Sequence, residues 1–144
     1  MGGYDALFVG LGPTVGADQV LLYETPLNAS SPAVYSLTNS GCSSGPSGPT
    51  GVAVHYTGDS STTLIYVASY YSSKVAAYGF MSGFLSGSPC PTPVMTSGSG
   101  SAIAHPEGLA VDGSGNVFVS NSSANTITVY NGGQIAATPS YTQH

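Results

Sequence analysis

The chain has 144 residues, 41% of them hydrophobic and only 5% charged, with a formal net charge of −5. Lys74 is the only Lys or Arg, so there is no basic surface to displace nucleic-acid counterions or to hold an anionic lipid surface; no apolar run approaches the roughly 20 residues that cross a bilayer as a helix. Disorder is also a poor description, because disordered chains combine low hydrophobicity with high charge, whereas here Ser, Thr, Asn and Gly must supply the polar surface.

The start, Met1-Gly2-Gly3-Tyr4-Asp5, has neither a basic region nor a long apolar stretch, so it does not read as a signal peptide. It runs directly into Ala6-Leu7-Phe8-Val9, a strand. A chain that opens in mid-pattern is expected of a truncated product or an excised segment. A second strand follows at Val20-Leu21-Leu22-Tyr23, and Ala33-Val34-Tyr35-Ser36-Leu37 can supply another. Next comes Pro49-Thr50-Gly51-Val52-Ala53-Val54-His55, then Leu64-Ile65-Tyr66-Val67-Ala68-Ser69, then Lys74-Val75-Ala76-Ala77-Tyr78. The same three phrases return as His105-Pro106-Glu107-Gly108-Leu109-Ala110-Val111-Asp112, Asn116-Val117-Phe118-Val119-Ser120-Asn121 and Thr126-Ile127-Thr128-Val129-Tyr130. Pro93-Val94-Met95-Thr96 and Gln134-Ile135-Ala136-Ala137 are expected as the fourth strands of these two units.

The first unit matches from its second phrase onward: Leu7-Phe8-Val9-Gly10 aligns with Ile65-Tyr66-Val67-Ala68, and Val20 to Tyr23 with Val75 to Tyr78. It has no Pro-x-Gly phrase ahead of Leu7. The units are therefore drawn as 1–41, lacking its first strand, 42–99 and 100–144. Four short strands per unit of roughly 50 residues is the pattern of propeller blades.

The local chemistry agrees. Thr126 to Tyr130 alternates with the period of a half-buried strand, with Ile127 and Val129 on one face and Thr126, Thr128 and Tyr130 on the other. Val52-Ala53-Val54 and Leu109-Ala110-Val111 do not alternate, which predicts strands covered on both faces, with the small Ala suited to crowding near an axis. Asp112-Gly113-Ser114-Gly115-Asn116 is a tight turn, and Asp112 is read as a turn residue. Gly58-Asp59-Ser60 holds the same place in the second unit. No stretch keeps helical spacing.

The segment from Ala104 to Tyr130 resembles an NHL repeat, through Pro-x-Gly-apolar-Ala-Val-Asp, a Gly-Asn turn, an aromatic-Val strand and an Asn-Ser end. The 48–78 copy is looser, with His55 where the family has Asp. The chain is similar also to lactonase-like and gluconolactonase-like propellers, through Val75 to Phe80 and Gly83 to Pro89. The resemblance implies an all-β chain of four-stranded antiparallel propeller blades, about 2.75 of them. That falls below the usual minimum of four, so further chain, a protein partner or more copies of itself are expected to cover the open edges.

The resemblance also implies a loop face carrying Ser69, Tyr70, Tyr71, His105, Glu107, Asn121 and Asn125. Tyr70 and Tyr71 read as an aromatic platform for a carbohydrate or peptide, or as loop packing between blades. Glu107 and Asn121 fall where related propellers place metal ligands. One acid and one amide do not make the six to eight oxygens of a calcium site, so no metal or other cofactor is expected. No Ser-His-Asp set can be drawn from His55, His105 and His144, and no catalytic residue is assigned. Cys42 and Cys90 show no zinc-site spacing. The implied topology puts their loops on opposite faces, favouring separate thiols or partner contacts over a bridge. Asn28-Ala29-Ser30 and Asn121-Ser122-Ser123 are glycosylation sequons.

The function expected is that of a non-enzymatic binding or scaffold module, extracellular or in the cell envelope on compositional grounds. A lactonase-like or gluconolactonase-like hydrolase fragment and a self-assembling structural protein are the alternatives.

Overall fold

The structure, a computed structural model, describes residues 6–11, 18–24, 26, 28–38, 45–86, 91–98 and 100–144. Met1 to Asp5, Cys42 and Cys90 lie outside the described residues, so the readings placed on them are not addressed. The chain is all-β, and its described strands form three antiparallel, blade-like sheets in succession. The first sheet has the order β1 (Ala6–Leu11), β2 (Gln19–Glu24), β3 (Tyr35–Thr38). The middle sheet comprises β4 (Pro49–His55), β5 (Leu64–Ser69), β6 (Lys74–Gly79) and β7 (Met95–Thr96). The third comprises β8 (Pro106–Val111), β9 (Val117–Asn121), β10 (Thr126–Tyr130) and β11 (Tyr141–Gln143).

The core lies between sheets, in two layers. Val20, Leu22 and Leu37 of the first sheet meet Ile65, Val67, Ala76 and Tyr78 of the middle one. The alternate residues of the middle sheet, Tyr66, Ala68, Val75 and Ala77, meet Val117, Val119 and Tyr130 of the third. The middle sheet is thus covered on both faces, which is why Ile65 to Ser69 and Val75 to Gly79 are buried without a break. Each large apolar side chain so enclosed contributes about 1.5–3 kcal/mol.

Two local expectations are corrected, and one alternation acquires its buried face. Thr126 to Tyr130 alternates as expected, and the buried face is Thr126, Thr128 and Tyr130, while Ile127 is 47% exposed. The polar residues can sit inside because the buried Asn121 amide donates to Thr128 Oγ1 at 3.1 Å and the Tyr130 hydroxyl donates to the Ser101 carbonyl. The first correction concerns β4 and β8, which are only partly covered. Both are edge strands of their sheets. The crowding falls on Gly51 rather than on the central Ala: a Cβ there would lie 3.0 Å from the Glu107 carbonyl oxygen and the Leu109 amide nitrogen. The second concerns Gln134–Ala137, which forms turns and not a strand. Ile135 plugs the second core layer, and the edge strand is instead β11, paired through Val129 with Tyr141. Gly133 is required at this turn, with φ +72° and the Tyr66 hydroxyl where a Cβ would be.

Asp112 is a turn residue as its neighbours imply. Its Oδ1 accepts the Ser114 and Asn116 amides, both at 2.9 Å, and Oδ2 accepts the Asn116 side chain. These bonds from Asn116 hold its carboxyl below the usual range. Asp59 does similar work in the middle sheet, accepting the Ser61 amide at 2.8 Å.

Candidate functional site

At one end of the stack the β5–β6 turn, the β9–β10 turn and the entries to β4 and β8 come together. Each of those two entry strands begins with a register irregularity at the same repeat position. Between Pro49 and Gly51 the extra residue is Thr50; between Pro106 and Gly108 it is Glu107. A bulge of this kind re-aims one side chain out of the ladder. Here the two re-aimed side chains line one cavity of about 440 Å³ together with Tyr70 and Tyr71. Thr50 Oγ1 donates to the Pro106 carbonyl at 2.7 Å, tying the two bulges to each other.

The turn that carries the tyrosines is fixed from below. The Tyr70 amide donates to the Gly48 carbonyl at 3.0 Å and the Tyr71 amide to the Ser47 carbonyl at 3.3 Å. Gly48 has φ +61°, and a Cβ on it would come 2.7 Å from the Tyr71 ring, so the ring lies across a position that must be glycine. Tyr71 remains 58% exposed. Tyr70 packs edge-on against Tyr71 at 5.5 Å between centroids and lies tilted over His105 of the third sheet at 4.6 Å. Such aromatic contacts contribute about 0.5–1.5 kcal/mol each, and this one bridges two sheets.

His105 is held in a left-handed conformation, φ +46°. Its amide donates to Ser73 Oγ at 3.2 Å, its carbonyl accepts the Ser122 amide and hydroxyl, and its ring Nδ1 is hydrogen-bonded to Ser123. Ser73 and Asn125 are left-handed as well, one in each hairpin turn ahead of β6 and β10. This end of the molecule is therefore specified by backbone geometry as much as by side-chain packing.

The residues expected at the face separate into three groups. Tyr70, Tyr71, His105 and Glu107 form the cluster just described. Asn125 belongs to a second hollow of about 320 Å³, which Glu107, Ser120, Asn121, Ser122 and Ile127 also line. Ser69 and Asn121 are 4% and 2% exposed and serve the scaffold. Ser69 Oγ accepts the Ser47 amide at 3.3 Å; Asn121 Oδ1 accepts the Ala104 amide at 3.1 Å while its Nδ2 donates to Val119 and Thr128. A buried, bonded Asn121 is also closed to glycosylation in the folded chain, whereas Asn28 is exposed. Thr50 is the residue that sequence reasoning missed. The repeat held the signal: Pro49-Thr50-Gly51 stands where Pro106-Glu107-Gly108 stands in the next unit.

Chemically the cluster offers the faces and hydroxyls of two tyrosines, one exposed carboxylate and one threonine. Among the described residues no three His, Cys, Asp or Glu side chains converge as a metal-holding group.

No family model matches the chain. No curated protein matches it in sequence. Among solved structures it is similar to a chain of Chaetomium thermophilum Polycomb Repressive Complex 2 bound to GSK126, with a TM-score of 0.54 at 12% identity. The match covers 89% of this chain and 28% of that one, so the chain spans little more than a quarter of its structural neighbour. At that identity the likeness concerns the arrangement of strands alone.

Proposed function

We propose that this chain is a run of NHL-like propeller blades serving as a non-enzymatic binding module, with the loop end at Thr50, Tyr70, Tyr71 and Glu107 as its ligand site. The observation that carries the reading is the pair of equivalent bulges, which turn Thr50 and Glu107 into one cavity beneath an exposed tyrosine. A sugar ring suits that chemistry, because its C–H face stacks on an aromatic ring while a carboxylate and a hydroxyl accept and donate to its hydroxyl groups. The low charge and the Ser/Thr/Gly-rich surface fit an extracellular or cell-envelope setting for such a module.

The test is a titration of the purified chain with a panel of neutral oligosaccharides, followed by NMR of the tyrosine ring protons. Saturable shifts at Tyr70 and Tyr71 are expected. Tyr71→Ala should weaken binding about tenfold, corresponding to about 1.4 kcal/mol, with the fold retained. Binding of basic peptides and of no sugar would reassign the ligand class to peptide; saturable binding that ignores Tyr71→Ala and Glu107→Gln would remove the site.

A further inference from the structure

The repeat assigns every strand residue to one of two faces, and the assignment is the same in all three sheets. Residues aligned with Ile65, Val67, Ala76 and Tyr78 face the preceding sheet; residues aligned with Tyr66, Ala68, Val75 and Ala77 face the following one. Val117, Val119, Thr128 and Tyr130 obey the first rule and are buried. Phe8, Val20 and Leu22 obey the second and pack on the middle sheet.

Two faces remain without a sheet against them among the described residues. On the first sheet the backward-facing set is Leu7, Val9, Leu21 and Tyr23, in register as Leu7 opposite Tyr23 and Val9 opposite Leu21. Leu7 is 43% exposed. On the third sheet the forward-facing set is Phe118, Ser120, Ile127 and Val129, extended by Tyr141 beside Val129. Both sets are uncharged and largely apolar. They also occupy the positions that, in the two sheet-to-sheet layers already present, meet each other: a backward face of one sheet on a forward face of the sheet before it.

We infer that copies of this chain associate head to tail, the Leu7 face of one copy stacking on the Ile127 face of another and continuing the layer that joins the sheets within the chain. The contact is heterologous, using two different patches, so it generates a closed ring, of two copies where their six sheets complete the circle, or an open filament. Neither set contains a charged side chain, so the contact buries no charge within the two patches, and Glu107 lines the hollow that holds Ile127. The association needs no ligand, although Glu107 borders both the ligand cavity and the hollow that holds Ile127.

Light scattering over a range of concentrations tests it with two single variants, Leu7→Asp and Ile127→Asp. Wild-type protein should grow in mass with concentration. Each variant alone should stay monomeric, since each lacks one of the two patches. An equimolar mixture should form a 1:1 dimer and stop, because the intact Leu7 face of the Ile127 variant fits the intact Ile127 face of the Leu7 variant. Circular dichroism checks that both variants fold; if either does not, Leu7→Gln and Ile127→Gln replace them. A wild-type chain that stays monomeric throughout, a single variant that still self-associates, or a mixture that fails to pair would each overturn the inference. Tyr71→Ala should leave the association unchanged.

Discussion

The middle and third sheets carry the same phrase and meet different fates. In β6, Val75-Ala76-Ala77-Tyr78 is buried at every residue; in β10, Ile127-Thr128-Val129-Tyr130 is buried only at alternate ones. Local pattern does not decide this. Among the described residues the middle sheet has a neighbour on each face, and the third has one. Composition follows coverage: small Ala is used where two layers press on one strand, and a polar pair, Thr128 with Asn121, is accepted where hydrogen bonds satisfy it. Burial in a repeat chain is thus set by place in the stack, which no single strand records.

The comparison can be broken most sharply at its apolar positions. Ile65→Ala, in the doubly covered sheet, should cost about 2–5 kcal/mol through lost burial and a residual cavity. Ile127→Ala, on the open face, should cost under about 0.5 kcal/mol in dilute solution. Urea unfolding midpoints check both, and equal costs would refute the difference in coverage.

The next effect lies at one repeat position in two environments. Asn121→Ala removes the acceptor for the Ala104 amide and the donor to Thr128, leaving buried polar groups unpaired, at about 1–3 kcal/mol. Ser69→Ala, at the equivalent place, loses one 3.3 Å acceptor and should cost about 0.5–1 kcal/mol. A larger loss at Ser69 would mean that the two sites are not equivalent.

A further effect is expected in alkali. Burial pushes the Tyr78 hydroxyl up to about 12 from its ordinary value of 10.0. A group raised in the folded state lends stability that is complete below the unfolded value and is lost as pH rises through the folded one. Stability should therefore hold to about pH 10 and decline between there and about pH 12, and Tyr78→Phe should flatten that decline. Absorbance titration of the tyrosinates, run with unfolding curves, measures it. A decline that is unchanged in Tyr78→Phe would assign the alkaline loss to other groups.

Much of this fold was legible because the inner strands are written in apolar and aromatic residues. The phrases ending at Ser69 and Asn121 mark β5 and β9, and Tyr78 and Tyr130 close β6 and β10. Other parts left no such mark. β11 is exposed at all three residues, so no hydrophobic signal distinguishes it, and buried Ile135 drew the expected strand to the wrong place. Which face of β10 is buried could not be read without knowing which neighbour it has. At the candidate site the adjacent tyrosines and Glu107 stood out as residue types. Thr50 did not, because its part depends on a bulge and on the approach of β4 to β8. Ser69 and Asn121 looked like loop-face residues by position, and their burial follows from hydrogen bonds that only the turn geometry reveals.

Among the described residues a middle sheet covered on both faces stands between two sheets covered on one. Amide hydrogen exchange, resolved by residue on dilute protein, tests that most directly. The amides of β5 and β6 should exchange slowest, those of β9 and β10 faster, and those of the edge strands β7 and β11 fastest, since protection follows the free energy of local opening. Exchange in β9 and β10 as slow as in β5 and β6, or slower, would contradict the stacking on which the rest is built.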